Sequence, residues 1–176
     1  GALLHRYLQL LRTALPANVR LQLHVPPTLP AIKADENQLR QVVLNLVANA
    51  AEALEGKPGA IDIATGVMNG QQLPAAPLWP HTPLPPQPYV FVEVADTGPG
   101  IFADRLGQIF EPFFSTKFTG RGLGLPAVLG IVRGHQGAIQ VDSAPGKGST
   151  FRVLFPALFA PLAESLAAPD RPETSG

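Results

Sequence analysis

The chain of 176 residues contains no cysteine, a single methionine and a single tryptophan. Without cysteine there is no disulfide framework and no thiolate metal site, which fits a reducing, cytoplasmic compartment. No apolar run reaches the roughly 18 residues of a membrane span, and the start at Gly1 shows neither a signal peptide nor an initiator Met. The expectation is a soluble piece of something larger. An excess of one charge is also missing: Lys plus Arg and Asp plus Glu number 13 each. No net field draws the chain to nucleic acid or to an anionic membrane, so any phosphate it binds must be held locally. The length suits one domain with one core, and hence one principal site.

What is present is strong hydrophobic patterning. Leu4, Leu8, Leu11 and Leu15 recur at helical spacing across residues 3–15 until Pro16 stops them. Residues 19–25 alternate apolar and polar, as a half-buried strand does, and Pro26-Pro27 ends the run. Asp35 is placed to cap a helix that carries Leu39, Val42, Val43, Leu46, Val47, Ala50 and Leu54 before Gly56 and Pro58 close it. Residues 60–65 and 89–95 are predicted strands. Between them, residues 66–88 hold seven prolines, and the stretch is expected to be a long, mobile hairpin loop or insertion rather than core strand. A segment rich in Gly and Phe runs from Asp96 to Gly124. A helix follows over 128–133, then strands over 138–143 and 150–155 joined by a turn at Gly146-Lys147-Gly148, and a linker or tail from 157.

Two features carry chemistry. Asn45 and Asn49 are four apart on the predicted helix and so share a face, where two amides can reach one metal–phosphate cluster; an amide oxygen is a hard ligand suited to Mg²⁺. Asp96 closes a strand apolar on successive residues, so its carboxylate leaves the end of a buried strand, where it can accept a hydrogen bond from the adenine amine. Gly98 and Gly100 let the backbone turn there and approach a base closely. Gly98 to Ala103 formally fits a dinucleotide glycine pattern, but no strand ending in an acidic residue follows at the required distance. Gly146-Lys147-Gly148-Ser149 is no phosphate loop either, because Gly148 separates the lysine from the hydroxyl.

Taken in order, Asn45–Ala50, Asp96–Gly100, Phe110–Phe114, Gly120–Leu125 and Gly148–Phe151 resemble the five nucleotide-binding boxes of sensor histidine kinases, in the superfamily that also contains DNA gyrase. The resemblance covers about residues 30–156. It implies an α/β two-layer sandwich, a mixed and mostly antiparallel sheet packed on one face by about three helices, with an ATP lid over 101–124. Residues 1–16 would be the end of a dimerisation helix and 17–156 the ATP-binding domain. The implied cofactors are ATP and Mg²⁺. Asn49 takes the position of the magnesium ligand. Asp96, Gly98, Gly100 and Ile101 would line the nucleotide site with Phe114, Gly120, Gly122, Leu123, Gly124, Leu125 and Thr150. Asn45, Lys117 and Arg121 would serve phosphoryl transfer, the two cations facing the β- and γ-phosphates. Phe110, Phe113 and Phe114 would be lid aromatics that dock and undock, and His135 is read as structural.

The same resemblance exposes an absence. A histidine kinase needs an acceptor histidine, usually followed by an acidic residue, yet His5 is followed by Arg6, and His24, His81 and His135 lie in a strand, the Pro-rich stretch and beyond the lid helix. The implied partners are a dimerisation and phosphoacceptor domain upstream in the same parent, itself a homodimer, and a response-regulator receiver domain; the fragment alone is expected to be monomeric. The rivals are a clamp-type ATPase, a non-enzymatic nucleotide-binding module and an anti-sigma-type serine kinase. Against the first, the hydrolytic relatives carry a Glu where this chain has Asn45, and a neutral amide cannot act as a general base.

Overall fold

The computed structural model describes residues 2–114 and 124–159. The central helix begins where the sequence places its cap. Asp35 is extended, its carboxylate accepts the Gln38 N–H at 2.9 Å, and its carbonyl accepts the Leu39 N–H at 2.9 Å. The helix buries Val42, Val43, Leu46, Val47 and Ala50 along one stripe, and left-handed Glu55 and Gly56 end it.

In chain order the elements are α1 (Ala2–Ala14), β1 (Val19–His24), β2 (Ala31–Ile32), α2 (Glu36–Ala53), β3 (Gly59–Asn69), β4 (Leu78–Trp79), β5 (Pro88–Asp96), α3 (Ala103–Leu106), α4 (Gly124–Gly134), β6 (Ala138–Ser143) and β7 (Ser149–Leu158). The strands lie in the order β1-β3-β5-β7-β6-β4, and β2 pairs with the end of β7. Only β1 and β3 pair in parallel, so the sheet is mixed and mostly antiparallel, as expected. Leu8 of α1, the stripe of α2, and Val128 and Val132 of α4 pack on one face against Ile61, Ile63, Val92, Val94, Val153 and Phe155. His135 ties two helices together: its Nδ1–H donates to Ile131 O at 2.7 Å and its Nε2 accepts the Asp35 N–H at 3.1 Å. No helix among the described residues is long and apolar enough to cross a membrane.

The Pro-rich stretch connects the antiparallel pair β3–β5, but it is not loop throughout. β3 runs on to Asn69, and residues 78–79 form a strand paired to β6. The physical reason is that the sheet is apolar on both faces: Tyr89, Ala138 and Leu154 point away from the helices and need a cover. Leu73, Leu78 and Leu84 from the stretch supply it. Prolines do not interrupt this layer because it covers a face, and the one proline of the stretch that stands in a ladder, Pro88, is the first residue of β5. A polar ladder beside it runs from Glu93 through Arg152 to Gln140, whose amide donates to Pro74 O at 2.6 Å. Trp79 faces the helix side, only 6% exposed, with its ring centroid 4.9 Å from that of Phe110. Phe110 is therefore core, against the expectation of a docking and undocking aromatic, while Phe113 is 78% exposed. At its far end β7 extends to Leu158, two residues into the expected tail, because β2 pairs there.

The Trp79–Phe110 pair makes a direct prediction. Trp79→Ala should destabilise the chain by about 3–5 kcal/mol, as large-to-small changes at buried aromatic positions do. In a double-mutant cycle with Phe110→Ala, urea denaturation should show a coupling of about 0.5–1.5 kcal/mol. A coupling of zero within error would show that the two rings do not support one another.

Candidate nucleotide-binding site

Asp96 is the last residue of an interior strand, 6% exposed. Its Oδ1 accepts the Gly98 N–H at 2.8 Å, which fixes the carboxylate relative to the loop it introduces. A β-carbon on Gly98 would stand 2.8 Å from Asp96 Oδ1 and 3.1 Å from Ala53 Cβ, so the loop passes close to the C-terminal end of α2. The loop is fastened to the β6–β7 turn on its other side. Gly146 N–H donates to Pro99 O at 2.7 Å, and Ile101 N–H donates to Ser143 Oγ at 2.8 Å. The Ser143 hydroxyl donates to Gly148 O at 2.9 Å and lies 2.8 Å from Ser149 Oγ. Gly100 and Gly148 are both left-handed, and a β-carbon on either would overlap backbone of the facing segment, Ala144 O for Gly100 and Asp96 O for Gly148.

α2 forms the opposite wall. Asn45, Asn49 and Ala53 succeed one another at four-residue intervals on one face. At the C-terminal end Ala53 meets Gly98; at the other, Asn45 Nδ2 donates to Gly124 O at 3.3 Å, at the first residue of α4. Asn49 lies between these contacts, half-buried, and its side chain makes no hydrogen bond among the described residues. The wall thus joins the Asp96 loop to the start of a helix whose first-turn amides suit anionic groups. A carboxylate beside one end of this wall and helix amides at the other polarise it along its length.

A family model described as "Histidine kinase-, DNA gyrase B-, and HSP90-like ATPase" matches residues 34–158. The chain belongs to this ATPase family. It is 41% identical over 150 residues to the sensory histidine kinase/phosphatase NtrB of Rhizobium leguminosarum bv. phaseoli, covering 85% of this chain and 38% of that protein. Against the sensor histidine kinase ZraS of Escherichia coli (strain K12) it is 39% identical over 157 residues, covering 89% and 30%. The chain thus spans well under half the length of these curated relatives. Among solved structures it resembles the catalytic domain of histidine kinase ThkA in a nucleotide-free form, with 28% identity, a TM-score of 0.69 and coverage of 89% and 91%. It also resembles full-length ShkA in complex with AMPPNP, at 30% identity and a TM-score of 0.69, covering 92% of this chain and 31% of that one.

Of the expected site residues, Asn45 reaches Gly124, Gly98 lies against Asp96 and beside Ala53 of the same α2 face, Asn49 lies between these two contacts, and Gly100 faces Ala144. Ile101 and Phe114 pack against the main core from its rim, and Leu125 does so from the first turn of α4. Thr150 does not join these residues. It pairs with Ala95, whereas Ser149 pairs with Asp96, so strand alternation puts Ser149 on the face of Asp96 and Thr150 on the opposite one. Lys117, Gly120, Arg121, Gly122 and Leu123 lie outside the described residues. Sequence reasoning missed Ser143. Its signal is weak, a lone serine at a strand end, and its role depends on a partner segment more than forty residues away, with Ile101 separated from it by 42 positions.

The two turn glycines separate strain from collision. At Gly146 a β-carbon meets nothing within 4 Å, so Gly146→Ala pays only for its left-handed backbone, about 1–2 kcal/mol. Gly148→Ala adds the overlap with Asp96 O and should cost more, with a greater loss of nucleotide affinity. Equal unfolding midpoints for the two variants in urea would contradict the fastening of Asp96 by this turn.

Proposed function

We propose that the chain is the ATP-binding catalytic domain of a two-component sensor histidine kinase. It would transfer the γ-phosphate of Mg-ATP to a histidine on a dimerisation domain of the same, homodimeric parent, for relay to an aspartate of a response-regulator receiver. The observation that carries this reading is the buried Asp96 carboxylate, oriented by the Gly98 N–H and facing the end of α2. A carboxylate so fixed favours the adenine amine and opposes the carbonyl of guanine. The sensor-kinase relatives, and the adenine-nucleotide analogue in the ShkA structure, support it.

The donor set fits Mg-ATP. No group of three or more His, Asp or Glu able to hold a metal occurs among the described residues. Asn49 supplies one hard oxygen, which suits Mg²⁺ because that ion takes most of its ligands from phosphates and water. When bound, the metal would neutralise phosphate charge. Asn49 would hold that cluster against α2, and the first-turn amides of α4, at Gly124 and Leu125, would face the phosphates. Lys117 and Arg121, on the glycine-rich segment between Phe114 and Gly124, would add positive charge. Asn45 donates its amide to Gly124 O and cannot take a proton from water, which favours transfer over hydrolysis. The site's residues suit work in the cytoplasm, where ATP is supplied.

Calorimetry on the intact chain tests the site. Asp96→Asn should stay folded and bind ATP about 10–100-fold more weakly, the loss of a charge-assisted hydrogen bond of about 1.5–3 kcal/mol. Asn49→Ala should remove the magnesium dependence of ATP binding and leave adenosine binding nearly unchanged. Unaltered affinity in a folded Asp96→Asn variant would remove the adenine assignment.

Labelled ATP tests the reaction. The chain alone should label itself at background level and hydrolyse ATP very slowly. Added dimerisation helices of a sensor kinase should be labelled weakly, since an untethered acceptor lacks the effective concentration of a linked one. Fast hydrolysis with no transfer to the helices would instead identify a clamp-type ATPase.

A further inference from the structure

A cavity of about 320 Å³ lies between α1, the first half of α2 and the sheet, away from the Asn49–Ala53 half of α2 that faces Asp96. Its walls are mainly apolar, with Ile32, Val43, Val92 and Phe155 around the body and Leu4 of α1 on one side. An apolar cavity of about 150 Å³ accepts benzene, so this one has room for roughly twice that, about a dozen non-hydrogen atoms.

Two polar groups on the wall give the space a chemistry. The helix-facing row of β3 reads Ile61, Ile63 and then Thr65, which lines the cavity at 7% exposure. The Thr65 hydroxyl is buried with no hydrogen-bond partner among the described residues, although a buried polar group left unpaired is costly. Rotation about χ1 exchanges its methyl and hydroxyl positions, so a molecule in the cavity could be met by either. The second group is Arg40. Its guanidinium lies 5.7 Å from the Tyr7 ring centroid and donates to Asn37 Oδ1 at 3.2 Å. No carboxylate lies within ion-pair distance of it among the described residues. The acidic group nearby, Glu36, accepts from the Tyr7 hydroxyl at 2.9 Å, and that hydrogen bond, with burial and the charge of Glu36, raises the phenol's pKa against the opposing charges of Arg40 and Arg6.

We propose that this cavity is a second binding site, for a small monocarboxylate with an apolar body of about a dozen heavy atoms. The carboxylate would pair with Arg40, the body would fill the space beside Val92 and Phe155, and Thr65 would favour bodies that carry a hydrogen-bonding atom. Because Leu4 and Tyr7 form one wall, the ligand would also hold α1 against the domain. The proposal does not depend on the kinase reading.

The test uses the full chain, with 2-naphthoate and decanoate as probes for the aromatic and aliphatic sources of this chemistry and 2-naphthol as the uncharged control. Saturable NMR shifts should appear at Leu4, Tyr7 and Ile32 and not at Gly98 or Gly100, and amide exchange in α1 should slow. Arg40→Gln should weaken 2-naphthoate about tenfold and leave 2-naphthol within about twofold. Thr65→Val should weaken the binding of 6-hydroxy-2-naphthoate but not that of 2-naphthoate, and should raise the unfolding midpoint by removing the unpaired hydroxyl. Val43→Phe, which fills the cavity, should abolish binding while ATP affinity reports that the domain is intact. Absence of saturable binding by any probe overturns the site, as does binding that is indifferent to both Arg40→Gln and Val43→Phe.

Discussion

The site depends on one backbone constraint, the close passage of the Asp96 end of β5 against the β6–β7 turn. Gly148 is left-handed and has no room for a β-carbon beside the Asp96 carbonyl, and Gly100 stands in the same relation to Ala144. With those two approaches made, Ser143 Oγ can accept the Ile101 N–H while its hydroxyl donates to Gly148 O. The loop is held by these contacts together with the Gly98 N–H bond to Asp96 Oδ1, so the carboxylate is fixed with the backbone around it. A carboxylate carried on a mobile loop would have to be ordered on each binding event; this one is ordered by the fold.

The sheet beneath it is covered twice. Helices α1, α2 and α4 close one face, and the Pro-rich stretch closes part of the other through Leu73, Leu78 and Leu84. The two covers meet through β4, whose Leu78 turns to the second cluster while Trp79 turns to the first and packs on Phe110. Since Phe110 belongs to the segment leading from Ile101 toward Phe114, the stretch that looked least structured in the sequence supports the approach to the nucleotide site.

Much of the candidate site was legible from local pattern. The periodicity of α2, its cap at Asp35, the shared face of Asn45 and Asn49, and Asp96 at the end of an apolar strand follow from residues within a few positions of each other, where helical and extended geometry fix direction. The resemblance of five ordered segments to sensor kinases joined them into one site, and the family match over residues 34–158 agrees with it. Proline content misled for residues 66–88 because it reports what a backbone cannot do in a ladder and says nothing of what a neighbouring face requires.

By itself, then, the sequence determined the longer elements, the buried stripe of α2 and the residue types offered at the candidate site, but not β2, β4 or α3. Only the tertiary structure decided which of Ser149 and Thr150 shares a face with Asp96, that Ser143 fastens the loop, and that Phe110 is core. Those outcomes rest on the register Asp96↔Ser149 and on contacts such as Trp79 with Phe110. Period-two alternation is local, but which row of one strand aligns with which row of another is set by pairing between distant segments, and a one-residue slip exchanges the faces.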